Sequence, residues 1–206
     1  SIVNKSKNKN ITLHLFEPAS DSYEFLVNLY KNKSTVKVNN IAISNKTGES
    51  TLYIADSMSA VNSLYKNSFK FEQKVQTITI DDYVNSEKIT HIDFLKSDTE
   101  GNDFNILLGA EETMKKKIID IWQFEYNAKW IYARHFLKDV FCFIEDKDYV
   151  LAKISKNGVE IFDEWHPELE RFFEANYLLI KKNNKFIQNL SKHVMFDHYN
   201  VLVSKI

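Results

Sequence analysis

Residues 94–111 read FLKSDTEGNDFNILLGAE, and the fold turns on this stretch. Its first part closes an apolar, β-prone run from His91 to Ser97, which reads as a strand. The run stops at Asp98, Glu100, Gly101 and Asp103, and helical spacing takes over from about Asp103 to Lys116. A strand that delivers acids and a glycine to the mouth of a helix suits an α/β protein with a site at the carboxyl edge of its sheet.

The flanking sequence repeats the alternation. Ile11–Phe16 (ITLHLF) is a strand closed by Glu17-Pro18, and Ser20 or Asp21 opens a helix through SYEFLVNLYKN. Val36–Ser44 is a second strand, which Asn45-Lys46-Thr47-Gly48 turns back onto Ser50–Ala55 as a hairpin. Asp56–Lys70, rich in serine and asparagine, reads as a long functional loop. Gln73–Ile80 and Ile118–Glu125 are strands, Asp81–Val84 a short helical turn, and Ala128–Phe143 an amphipathic helix. Val150–Ser155 and Val159–Phe162 pair around Asn157-Gly158, and Asn176–Ile180 is a last strand. The expected architecture is a mostly parallel sheet covered on both faces, with an antiparallel C-terminal portion. Residues 1–184 would form one domain and 185–206 a C-terminal extension.

A formal net charge of −1 leaves no global basic surface, so nucleic acid is not an expected partner. The chain contains no run of ~20 apolar residues, so no membrane span is expected, and no signal-peptide pattern is visible. Cys142, the single cysteine, excludes an internal disulfide and a zinc site of paired thiolates. Set in VFCFI it reads as a small buried hydrophobe, and a reducing, cytoplasmic setting is the default.

Three strands end in polar chemistry: one at Glu17, one at Asp98 and Glu100, one at Glu125 with Asn127. Glu17 also suits a cap for the next helix, and Asp103 a first-turn acid favoured by the helix dipole. Asp98 and Glu100 repel one another, and Glu125 ends an apolar strand where its charge needs a partner or a ligand. These three form the candidate catalytic set. His14 sits inside a strand as a core histidine, while His91 and His135 have no nameable partner. His166 in DEWHPELE, with Trp130, Tyr132 and Trp165, would line an acceptor pocket or close a core edge.

TITIDDY, HIDFLKSDTEGNDFNILLGAEE and IIDIWQFEYN together resemble the signature of the FkbM-family methyltransferases. In that family a "tlD" segment precedes a strand written roughly "iDfLKiDvEGaE..vLkGa", and a further strand ends in Glu. LHLFEP is similar to the family's "vyaFEP" strand, and NNIAISNKTGESTLYI to its "n.AlsdktGe..l.i" segment. The likeness runs from about Ile11 to Ile180. It implies S-adenosylmethionine-dependent O-methyl transfer to a hydroxyl of a sugar, glycan or secondary metabolite, on a Rossmann-like class I methyltransferase fold. By the same resemblance Glu17 would hold the ribose hydroxyls and Ile41 and Ala42 would line the adenine. Asp98 would sit beside the methionine moiety, with Asn62 and Ser63 in a cofactor-side loop. Glu100 and Glu125 would face the acceptor, with Asp98 and Glu100 the first candidates for a base and Glu125 in support. Asp98, Glu100 and Asp103 could instead hold a hard cation such as Mg²⁺.

The family's opening strand and glycine-rich turn, roughly "vfDvGAnvG", have no counterpart between Ser1 and Ile206; SIVNKSKNKNITLHLFEP aligns with the helix that follows them. Weak binding of S-adenosylmethionine by this chain alone is the resulting expectation. Two other readings compete. A carboxylate-based metal hydrolase built on Asp98, Glu100 and Glu125 needs no glycine loop but leaves the remaining matches unexplained. A non-catalytic Rossmann-like module would bind a partner only.

Overall fold

The computed structural model describes residues 11–54, 62–65, 71–156, 158–185 and 190–205. Most of the expected 56–70 loop, and Asn157 of the expected turn, lie outside the described residues.

The first unit is β1 (Leu13–Phe16), α1 (Ser20–Tyr30) and β2 (Val36–Asn39), with β1 and β2 paired in parallel. A single strand was expected over 36–44, but the chain breaks at Asn39-Asn40. Asn39 Nδ2 donates to the Leu15 carbonyl, and Asn40 Nδ2 to the carbonyls of Glu17 and Pro18. These side chains tie the backbone to the end of β1 instead of extending the ladder, so β3 (Ala42–Ile43) joins a different sheet.

That second sheet corrects the expected hairpin. β4 (Gly48–Ile54) does not pair with β3; β5 (Phe71–Ile78) lies between them, antiparallel to β4 and parallel to β3. Thr77 Oγ1 donates to the Lys46 carbonyl at 2.8 Å and holds the 45–48 turn against β5. The long-range pairing with β5 therefore outcompetes a local turn.

α2 (Ile80–Ser86) begins at the Thr79 cap, whose hydroxyl accepts from the Asp82 amide at 3.0 Å. It leads to β6 (Ile92–Lys96). The expected long helix divides into α3 (Asp103–Leu108) and α4 (Glu111–Lys115) at Gly109-Ala110. Asp81 fixes that break: its carboxylate accepts from the amides of Glu112 and Thr113 and from the Thr113 hydroxyl. A Cβ on Gly109 would run into the Ser44 carbonyl. Gly109→Ala is therefore expected to cost about 3 kcal/mol, read by urea denaturation; an unchanged midpoint would refute this close approach.

β7 (Ile119–Tyr126) follows, parallel to β6, then α5 (Trp130–Ala133) and α6 (Leu137–Ile144). The single amphipathic helix expected over 128–143 is interrupted at Arg134, whose φ is 59°. β8 (Tyr149–Ser155) and β9 (Gly158–Phe162) form the expected hairpin, and β10 (Ala175–Lys181) inserts between β7 and β8. β11 (Ser191–Phe196) adds beside β9 and β12 (Leu202–Ser204) beside β11, so part of the 185–206 segment completes the sheet.

The large sheet thus runs β12-β11-β9-β8-β10-β7-β6. It is a mixed α/β architecture rather than a mostly parallel one. Among the described residues of this sheet only β6–β7 and β9–β11 are parallel, because β10 returns antiparallel beside β7 and β8 pairs antiparallel with β9. The main core lies where Phe104, Leu107 and Met114 of α3 and α4, and Leu137 and Val140 of α6, meet Trp122 and Phe124 of β7. No helix among the described residues is long and apolar enough to cross a membrane.

Candidate active site

β6 and β7 deliver the acids. The ladder between them ends where the Ser97 amide donates to the Gln123 carbonyl at 2.9 Å, and the chain then turns through 98–102. Glu100 and Gly101 both take left-handed conformations, with φ of 55° and 101°. A glutamate there costs about 1–3 kcal/mol, so surrounding contacts must hold it. Three do. The Ser63 hydroxyl donates to the Glu100 carbonyl at 2.9 Å, the Lys129 ammonium pairs with the Glu100 carboxylate at 2.8 Å, and Gly101 lies so close to Lys129 that a Cβ would sit 2.9 Å from its carbonyl oxygen. Asp98 points to solvent and pairs with Lys96 at 2.9 Å.

Asp103 departs from its expected role as a solvated first-turn acid. Its side chain is turned inward and its exposure is 0 %. Oδ2 accepts from the Thr99 amide at 3.3 Å and from the Thr99 hydroxyl at 2.9 Å, while Oδ1 has no hydrogen-bond partner among the described residues. Burial pushes its pKa up to about 6, against the opposing pull of Ser97 and Thr99.

Glu125 alternates along β7 with the buried Phe124 and Tyr126, so it faces away from the main core. Asn127 Nδ2 donates to its Oε2 at 2.6 Å. Partial burial, then the carboxylates of Asp98, Glu174 and Glu100, push its pKa up to about 7. Sequence reasoning missed Glu174, which follows the exposed Phe173, and Lys129, which no local motif marks; only tertiary contact brings them to this edge.

The residues expected on the cofactor side form a second group. Glu17 follows β1; its Oε1 accepts from the Ala19 amide at 2.9 Å, and burial raises its pKa despite that bond. Ala19 packs with Ala42, Leu52 and Val75, which places the segment Ile41-Ala42 beside the start of α1. Half-buried Asn62 precedes Ser63, which bridges to Tyr53 and binds the acid turn. Asn102, also missed from the sequence, joins the two groups. Its Nδ2 donates to the Ile43 carbonyl at 3.0 Å and its Oδ1 accepts from Asn105, which donates in turn to the Tyr65 hydroxyl.

Other expectations are corrected. Asp98, Glu100 and Asp103 do not form a cation cage: two are paired with lysines and the third is turned inward. Among the described residues no group of three or more His, Cys, Asp or Glu is arranged to hold a metal ion. Trp130 is wholly buried against Phe124, Phe104 and Tyr126, with its indole N–H on the Glu125 carbonyl, so it cannot stack on an acceptor. Trp165 donates to Glu170, which also accepts from the Tyr126 hydroxyl and the Leu137 and Lys138 amides; DEWHPELE therefore caps α6. His166 stacks on Phe196, and Tyr132 is exposed. His14 bonds the Tyr83 hydroxyl at 2.7 Å, His91 lies near Asp93 and Asp120, and His135 packs on Phe104. Cys142 is exposed rather than buried, because α6 turns Val140, Phe143 and Ile144 inward and leaves position 142 on the outer face.

The model of the methyltransferase FkbM domain family matches residues 1–151. No curated protein and no solved structure matches this chain. A match over more than half of the 206 residues, spanning the acid turn and both strands that frame it, establishes that the chain belongs to the FkbM methyltransferase domain family.

Proposed function

We propose that the chain is an S-adenosylmethionine-dependent O-methyltransferase acting on a hydroxyl of a sugar, glycan or secondary metabolite in the cytoplasm. Residues 1–184 form its catalytic domain in this reading, and the parallel pairs β1–β2 and β6–β7 support a Rossmann-like class I arrangement. The observation that carries the proposal is Glu125, a carboxyl group tuned to about pKa 7 among Asp98, Glu100 and Glu174. A base matched to neutral pH is what proton removal from a hydroxyl needs.

The residues fit the cofactor by their donor chemistry. Glu17 is a partly buried carboxyl whose Oε1 takes the Ala19 amide, which leaves Oε2 to take further hydrogen-bond donors. A ribose diol supplies such donors, and Ile41 and Ala42 offer the adjacent apolar surface. When bound, S-adenosylmethionine supplies a methyl carbon activated by its sulfonium. Glu125 takes the acceptor's hydroxyl proton, with Asn127 orienting its Oε2. Asp98 and Glu100, each held by a lysine, position the reacting groups and keep the edge acidic.

Calorimetric titration with S-adenosylmethionine and S-adenosylhomocysteine tests the assignment. Weak but saturable binding is expected, with Glu17→Ala lowering affinity at least about tenfold. A titration that shows no saturable heat, or equal affinity in the variant, overturns it.

A further inference from the structure

We propose that Asp103 is a positioning residue: through Thr99 it locks the left-handed Glu100-Gly101 turn that presents Asp98 and Glu100. The catalytic consequence rests on the methyl-transfer reading above; the lock itself does not.

The turn is a short closed loop. The Asn102 amide reaches back to the Thr99 carbonyl at 3.4 Å, a long bond that holds little on its own. Asp103 Oδ2 closes the same loop more firmly, taking both the amide and the hydroxyl of Thr99. Between these anchors lie the two residues with positive φ, Glu100 and Gly101. A glutamate enters that conformation only where its neighbours over-determine it. The Ser63 and Lys129 contacts hold Glu100 from outside the loop, and the Asp103 clamp holds it from within.

The burial of Asp103 argues in the same direction. A carboxyl group with 0 % exposure and one oxygen unpartnered is a costly choice for the first turn of a helix. An apolar residue would fill the space without that penalty. Ser97 at the end of β6 also favours the carboxylate, and the bonds that reach into the turn, which an apolar side chain does not supply, are the pair to Thr99. Nothing in the local sequence shows this, since an Asp at a helix start ordinarily faces water.

The test uses Thr99, which leaves the buried acid in place and so keeps the fold. Thr99→Val removes the hydroxyl arm of the clamp, and Thr99→Ser restores it. Amide hydrogen exchange across 99–101 is expected to speed up roughly tenfold in Thr99→Val and to return to the parent rate in Thr99→Ser. Methyl transfer should follow the same order, falling roughly tenfold in the valine variant and recovering in the serine variant. Asp103→Asn retains one acceptor oxygen for Thr99, so it is expected to keep the slow exchange, whereas Asp103→Ala is not. Unchanged exchange in Thr99→Val, or exchange in Asp103→Asn as fast as in Asp103→Ala, overturns the lock. Because exchange is read without substrate, a parent chain that transfers no methyl group refutes the function reading and leaves the lock to be decided on its own.

Discussion

Glu125→Gln is expected to lower the rate of methyl transfer at pH 7.5 by at least about 100-fold, the usual contribution of a positioned general base. The substitution is nearly isosteric, and the Gln carbonyl can still accept from Asn127, so folding and cofactor affinity should change little. In the parent chain kcat/KM should rise with pH through about 7, as Glu125 loses its proton, and this inflection should vanish in the variant. Stability follows the opposite direction. Burial, with Asp98, Glu174 and Glu100 nearby, raises the folded-state pKa of Glu125 above that of the unfolded chain. Its protonated form therefore favours the folded state, a contribution present in full below about pH 4.5 and lost as pH rises through about 7. The parent's melting temperature should decline across that window and the Gln variant's less steeply. A variant with parental rates at pH 7.5 would remove Glu125 from the chemistry.

Trp130→Ala is expected to lose about 3–5 kcal/mol of stability, the cost of deleting a large, fully buried aromatic side chain. The indole fills the space between Phe104 of α3 and Phe124 and Tyr126 of β7, and its N–H holds the Glu125 carbonyl. The loss is thus also expected to loosen the backbone that carries Glu125. Tyr132→Ala serves as the contrast, since that ring is exposed two residues away and its removal should shift the denaturation midpoint little. Equal midpoints for the two variants would show that Trp130 does not anchor the core.

Much of the chain was legible from local pattern. β1, β6, β7 and β10 fall within one or two residues of the apolar runs that announce them, and the acid turn stands where Asp98, Glu100 and Gly101 interrupt the periodicity. The errors share a cause. The 45–48 turn promised a hairpin, but β5, some thirty residues further on, took the place beside β3. Asp103 looked like a dipole-facing acid, yet the path of the turn carries it inward onto Thr99. Of the two places expected for Trp130 the core one holds, whereas Cys142 left its expected one because the helix expected over 128–143 breaks at Arg134 and α6 turns Val140, Phe143 and Ile144 inward instead.

The sequence by itself determined that this is an α/β chain of a methyltransferase family with carboxylates at the ends of its strands, because periodicity and motif spacing are local properties. Only the tertiary structure decided the sheet order, the pairing of Glu100 with Lys129, the inward turn of Asp103 and the displaced pKa of Glu125. Each of these depends on burial or on groups brought close from distant parts of the chain, and neither is written in the spacing of neighbouring residues.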